Sequence, residues 1–455
     1  MEKTKLRAAE IIGVASMLFG MFFGAGNLIF PVHMGQMAGS NVWYAVIGFV
    51  ITGVGLPLLA VVALGISRSD GLRSLSGRVG RGYSIFFTCA LYLTIGPLFA
   101  IPRCAATSFS TGTSSLIGTS SWALPVFSLV FFAVVLAFSL FPNGIMTWVG
   151  RILTPIFLVC LGILVVAAFL SPMASVSKIA PEAGYDTGVK ALFEGFLEGY
   201  NTMDTLAGLA FGIVVVNVIR SLGVEHDGAV AANTVRAGTF SCLFMALIYV
   251  LITLVGTQSR GVFDTSAEGG TALSQISQHY FGTFGTVILA FTVTFACLKT
   301  AVGLVTSCSE TFTALFPRAL SYRMWAIIFS VVSLLIANVG LATIIEYAVP
   351  VLMFLYPLAI TLILLALGGK LFGHDRRVYV SVTALTFVAA IFDLIKALSK
   401  TGLGKMIHAE TVSAWVEGWL PLFSLGLGWV CPAALGLVIG LILHFVCGQK
   451  AKQAA

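Results

Sequence analysis

The chain has 455 residues, 58% of them apolar and only 9% charged, with a mean hydropathy of +1.02. An average soluble domain carries roughly 25% charged residues, so a soluble protein is excluded and the bilayer, not length, sets the domain count: residues 1–455 read as one transmembrane domain. The formal charge of +7 comes from Lys and Arg in short segments between apolar runs, a topology signal that implies no nucleic-acid partner.

At the N-terminus Lys3, Lys5 and Arg7 precede an apolar run that continues past Ile29 without a small-x-small cleavage site. It reads as a retained first span and not as a signal peptide. The eight cysteines lie mostly inside apolar runs with no CxxC pair, which fits neither a disulfide framework nor a zinc site.

A span needs about 20 mostly apolar residues, and twelve candidates follow in order: 9–37, 42–66, 82–102, 122–141, 149–170, 189–220, 237–257, 283–312, 324–345, 347–368, 378–398 and 420–446. The expected fold is all-α. Alternating the loops puts seventeen of the 25 Lys and Arg on one side and seven on the other, with Lys299 left inside span eight. The positive-inside rule then makes both termini cytoplasmic.

Two spans are interrupted. In span one, Phe22-Phe23-Gly24-Ala25-Gly26-Asn27 places glycines and an amide mid-membrane, where a helix should be strongest. In span six, Glu198-Gly199-Tyr200-Asn201-Thr202-Met203-Asp204 interrupts a run that is otherwise apolar from Leu192 to Val218. Gly26 and Thr202 are 176 positions apart, and each break opens a set of five spans, residues 9–170 and 189–368, leaving 378–446 for two extra helices. With an odd number of spans per set, the second set enters the membrane inverted. Broken helices at matching positions of two inverted halves point to a transport site at the midplane.

An unwound helix in hydrocarbon persists only where protein, water or ligand pairs its backbone groups. The half-helix after Gly26 would offer free N–H groups to an anion, and the carbonyls ending near Phe22 and Phe23 suit a cation or an ammonium. A zwitterionic amino acid, with or without Na+, meets both demands. Gly20-x-x-x-Gly24 alone reads more simply as close helix packing; Asn27 and the polar break in span six tip the balance toward a site. Intramembrane carboxylates default to function, which holds for Asp204 inside the break, whereas Glu194 reads as reaching the outer interface. Asp393 and Lys396 are expected to pair with each other. Glu346 and Arg103 sit at predicted span ends, where snorkelling suffices, and His33 reads as a hydrogen-bonded packing residue.

Three stretches, Met21 to Pro31, Glu198 to Asp204 and Ala337-Asn338-Val339-Gly340-Leu341, resemble the bacterial branched-chain amino acid carriers of the BrnQ type over nearly the whole chain. The resemblance implies a cell-membrane carrier importing leucine, isoleucine and valine with a cation, usually Na+, and a LeuT-like five-plus-five inverted repeat with broken first and sixth helices. It implies substrate binding at Gly24, Ala25, Gly26, Asn27, Glu198, Tyr200, Asn201, Thr202 and Asp204. It further implies sodium ligands at Phe23, Asn27, Thr202, Ala296 and Thr300. In span eight, Phe295-Ala296-Cys297-Leu298-Lys299-Thr300 is similar to a sodium-symporter stretch whose two hydroxyls ligate a second sodium, and Lys299 stands in place of one of them. An ammonium cannot ligate sodium. Lys299 therefore either replaces that ion with its own charge, leaving one Na+ or proton coupling, or turns away to pair with a carboxylate such as Glu310.

Other classes fit less well. A pump in this chain alone is excluded, because no G-x-x-x-x-G-K-[ST] occurs and no loop is long enough for a nucleotide domain. An enzyme would need a metal or nucleophile constellation, and the six histidines are dispersed. A channel differs from a carrier in showing neither saturation nor counterflow. The expected pocket is apolar, from spans one, three, six and eight, so methionine would compete with leucine, since one methylene discriminates by only about 1–3 kcal/mol. No bound organic cofactor is expected.

Overall fold

The structure, a computed structural model, describes residues 4–24, 26–67, 69–118, 120–140, 145–224 and 226–453. Among these every regular element is helical. Apolar stretches flanked by glycine, proline or charge cannot leave backbone groups open in hydrocarbon, and the helix satisfies all of them within one segment.

Span one is two helices, α1 (Ala8–Phe22) and α2 (Gly26–Ala38). Span two is α3 (Val42–Val50), a π-helical turn at Ile51–Gly55, and α4 (Leu56–Ile66). A short α5 (Leu72–Gly77) precedes α6 (Arg81–Leu93), which passes through a kinked turn at Thr94–Leu98 into α7 (Ala100–Ser108), a second wide turn at Phe109–Thr113 and α8 (Ser114–Ile117). Next come α9 (Ala123–Leu140) and α10 (Ile145–Leu170). Span six is α11 (Gly188–Glu198), a 3-10 turn at Gly199–Thr202, and α12 (Asp204–Ser221). The remainder is α13 (Asp227–Ser259), α14 (Gly269–Leu315), α15 (Tyr322–Ala337), α16 (Leu341–Gly368) and α17 (Arg376–Leu398), then α18 (Gly402–Met406), α19 (Ala409–Glu417) and α20 (Val430–Gln453).

Helices thus stand at each of the twelve expected positions. Eight stretches among the described residues are long and apolar enough to cross a membrane on their own. Four boundaries differ from expectation, one of them the start of span seven, where α13 begins at Asp227 and not at 237. Span three runs on past residue 102 to Ile117, because the small residues after Pro102 remain helical. Spans nine and ten part at Asn338–Gly340, where Gly340 takes φ +89°, and not near residue 346. The last helix starts at Val430 and not at 420, since Leu422 and Gly426 are left-handed. Span eight begins where expected: Gly282 (φ +59°) kinks α14 there and separates it from the preceding helix.

Glycine sets how closely the helices approach. A Cβ on Gly35 would land on the Thr253 carbonyl, one on Gly256 on Val32, one on Gly48 on Leu192 and one on Gly195 on Ala45. With no hydrophobic drive between helices in lipid, such backbone approach supplies the packing. The register follows from the same contacts. Ala45, Thr52, Ala60 and Leu64 face Gly195, Gly199, Gly208 and Gly212 in that order, so spans two and six run parallel. Leu6 bonds Asn233, and Val32 meets Gly256, so spans one and seven are also parallel. Consequently span six is antiparallel to span one: α1 lies against α12, and α2 against α11. A second group of packed helices, α7, α9, α14 and α15, flanks this one.

Candidate functional site

The helix of span one stops at Phe23 (φ −75°, ψ 98°). Asn27 shapes the turn that follows, its Oδ1 accepting the Gly24 N–H at 2.8 Å. Its Nδ2 donates to Asp204 Oδ2 at 2.5 Å and to the Tyr249 hydroxyl, and that hydroxyl donates to the same carboxylate oxygen at 3.4 Å. Asn27, Asp204 and Tyr249 are all buried. Asp204 opens α12, where the unpaired N–H groups of a helix start favour a carboxylate.

The break in span six is equally defined. Met203 is left-handed (φ 63°), a conformation that a non-glycine residue holds only where its surroundings over-determine it. The Thr202 hydroxyl donates to the Gly199 carbonyl at 2.9 Å and accepts the Asp204 N–H at 3.3 Å. Asn201 Nδ2 donates to Glu198 Oε2 at 2.9 Å, and the Tyr200 ring stacks on Tyr356 with centroids 4.0 Å apart.

Arg103 binds the two breaks together. It lies inside span three, 6% exposed, and not at a span end. Its Nη1 donates to the Asn201 carbonyl at 2.6 Å and Nη2 to that of Thr202 at 3.5 Å, while the guanidinium sits 5.1 Å from the Phe30 ring centroid. A Cβ on Gly26 would approach Arg103 Nη2 to 3.0 Å, so a side chain there would press on the guanidinium. The fixed fork of arginine can serve two carbonyls at once.

Span eight closes the other side. Thr300 Oγ1 lies 3.6 Å from where a Cβ on Gly24 would stand, and Lys299 Nζ lies 3.8 Å from the equivalent point on Gly20. Gly20 and Gly24 thus face side chains and not a close-packed helix. Thr300 donates to the Ala296 carbonyl at 3.0 Å. Lys299 is half-buried and has no hydrogen-bond or ion-pair partner among the described residues; in particular it does not pair with Glu310, which is exposed.

The structure therefore gathers Gly24, Gly26, Asn27, Asn201, Thr202, Asp204 and Thr300 around one locus, with Phe23, Ala296 and Lys299 on its border. Ala25 lies outside the described residues. Glu198 and Tyr200 flank the locus from the span-six side. Sequence reasoning missed Arg103 and Tyr249. Tyr249, Thr253 and Thr257 recur every fourth residue, which marks one polar face of span seven, and Thr253 and Thr257 pack against Gly35. Other expectations divide. His33 bonds the Ser266 carbonyl at 3.1 Å as a packing residue, and Glu194 is exposed. Asp393 does not pair with Lys396, whose ammonium is bound to the carbonyls of Phe423 and Ser424 at 2.5 and 2.7 Å.

The model of the family described as branched-chain amino acid transport protein matches residues 7–446. The branched-chain amino acid permease BrnQ of Lactobacillus delbrueckii subsp. lactis is 50% identical over 452 residues, covering 99% of this chain and 100% of the relative. Bacillus subtilis BraB is 41% identical with 98% of each chain covered, and Escherichia coli BrnQ is 38% identical with 99% of each covered. Among solved structures, inward-facing Mhp1 superimposes with a TM-score of 0.61 at 13% identity, over 99% of this chain and 96% of that one. A closed form of Mhp1 with bromovinylhydantoin bound gives 0.55 at 14% identity, over 93% and 98%. The two broken, antiparallel helices therefore belong to a fold shared with Mhp1. Matched along almost all of its length, the chain is a member of the branched-chain amino acid transport protein family.

Proposed function

We propose that this chain is a secondary carrier that moves leucine, isoleucine and valine across a bacterial cytoplasmic membrane, with a coupling cation, by alternating access. One observation carries the reading: the breaks of spans one and six lie side by side and antiparallel, joined through Asn27, Asp204 and Arg103. The N-terminus of α2 would receive the substrate carboxylate, and backbone carbonyls at the ends of α1 and α11 its ammonium. Twelve crossings with both termini cytoplasmic, and an inverted repeat of residues 9–170 and 189–368 followed by 378–446, agree with the charge pattern and with the antiparallel packing of spans one and six.

The coupling ion is the finer part of the proposal. Phe23, Asn27, Thr202, Ala296 and Thr300 are the candidate sodium ligands. Lys299 beside Gly20 would supply a fixed positive charge where a second sodium would otherwise sit, an arrangement favoured by its lack of a carboxylate partner. Coupling then runs through one Na+ or through protons. The test is leucine uptake into proteoliposomes under an imposed Na+ gradient and under an imposed proton gradient, with counterflow as the gradient-free control. Saturable counterflow, inhibited by isoleucine, valine and methionine, is expected. Flux that neither saturates nor exchanges would mean a channel, and absence of leucine flux would overturn the substrate.

A further inference from the structure

A buried polar cluster lies where the helices beyond the two sets of five meet α16 and the break of span six. Asp393, on α17, is 3% exposed, and neither carboxylate oxygen has a side-chain hydrogen-bond partner among the described residues. Trp429 Nε1, just before α20, and the hydroxyls of Tyr200 and Tyr356 are likewise buried, Trp429 being the polar neighbour of Tyr200 and Thr205 that of Tyr356. Asp393, Trp429 and Tyr200 are neighbours, and Tyr356 stacks on Tyr200. The Trp429 side chain lies beside the Tyr200 hydroxyl, the backbone N–H groups of Gly428 and Trp429 lie near the Asp393 carboxylate, and a Cβ on Gly428 would stand 2.9 Å from Asp393 Oδ1. Tyr356, stacked on Tyr200, faces Thr205 and Asp204. Buried polar atoms thus run from Asp393 to the break of span six.

A carboxylate in such a place is tolerated only with a compensating charge. The nearest ammonium, Lys396, is turned to the carbonyls of Phe423 and Ser424 and lies 5.0 Å from the Phe423 ring centroid. The titratable and charged groups facing Asp393 from the packed elements are Tyr200 and Lys396. We propose that Asp393 and Tyr200, backed by the Tyr356 ring stacked on Tyr200, form a second binding site of the carrier, for a monovalent cation, whose occupancy sets the position of the span-six break through Tyr200. The cation is H+ or Na+; both neutralise the carboxylate, and the Tyr200 hydroxyl completes either. Its role in transport rests on the carrier reading above, but its occupancy does not.

The experiment is intrinsic fluorescence of the purified full-length protein, with Trp429 as the reporter. It is titrated with NaCl at fixed pH, balanced by choline, and with pH at fixed salt. Wild type should give a saturable change with one of the two cations, and that arm identifies the ion. The change should vanish in Trp429→Phe and in Asp393→Asn, and its midpoint should shift at least threefold in Tyr200→Phe, which removes a single hydroxyl and keeps the proposal testable if Asp393→Asn fails to insert. No change with either cation, or the same change in Asp393→Asn, would overturn it. In proteoliposomes Asp393→Asn should keep counterflow within twofold of wild type but lose accumulation driven by that cation at least tenfold; unchanged accumulation would equally overturn the coupling. Failure of the carrier reading is visible separately, as absence of leucine flux in wild type.

Discussion

Replacing Arg103 tests whether the two breaks form one unit. Its guanidinium makes a 2.6 Å bond to the Asn201 carbonyl, a longer one to Thr202, and a contact with the Phe30 ring. A hydrogen bond involving a charged group contributes about 1.5–3 kcal/mol, and a buried cation–π contact about 0.5–2 kcal/mol. Arg103→Ala removes all of these and strands two buried carbonyls, so the binding-competent geometry should lose about 3 kcal/mol, a factor of about one hundred in an equilibrium. Arg103→Lys keeps the charge but not the fork and should lose about half as much, a factor of about ten. The assay is leucine counterflow in proteoliposomes, where both variants should raise the half-saturating leucine concentration by those factors. A monodisperse Arg103→Ala protein whose half-saturation stays within twofold of wild type would refute the reasoning.

Gly48→Ala and Gly195→Ala would each drive a methyl into facing backbone; each should destabilise by about 1–3 kcal/mol, read as a lower thermal midpoint in detergent. Gly303→Ala, where nothing lies within 4 Å, should instead be neutral or stabilising by up to about 1 kcal/mol. Lys299→Thr should change ion dependence, steepening the response of uptake to Na+ as a second sodium becomes able to bind; an unaltered response would sink the ion-replacement idea. At the start of α17, Asp375 accepts from His444 at 2.7 Å and from the Arg377 N–H at 2.9 Å, which hold its carboxyl below the usual range. A depressed carboxyl stabilises above its unfolded value and loses that contribution as pH falls through the folded one. The stability gap between wild type and Asp375→Ala, about 1 kcal/mol at neutral pH, should therefore close below about pH 4.

Both breaks were legible because glycine, amide and carboxylate in mid-membrane contradict the surrounding apolar run. Other features depend on partners far away in sequence. Arg103 looked terminal because the apolar run ends at Pro102, yet Ala105 to Thr113 stay helical against α14, which carries the arginine inward. Asp393 and Lys396, three apart on one helix, suggested a pair, but the carbonyls of Phe423 and Ser424 take the ammonium. Spans nine and ten meet at a three-residue turn, Asn338–Gly340, too short to interrupt hydropathy; Glu346, the apparent boundary, is an exposed residue inside α16. Tyr249 lay within an apolar run, where only its recurrence with Thr253 and Thr257 hinted at a facing partner.

The most direct test of the central claim is an experimental structure determined with leucine bound. The account predicts the amino acid between the two breaks, its carboxylate at the start of α2 and its ammonium at carbonyls ending α1 and α11, with Asn27 and Asp204 within reach. Leucine bound anywhere else, with the Asn27–Asp204 contact and the Arg103 bridge unchanged, would contradict it.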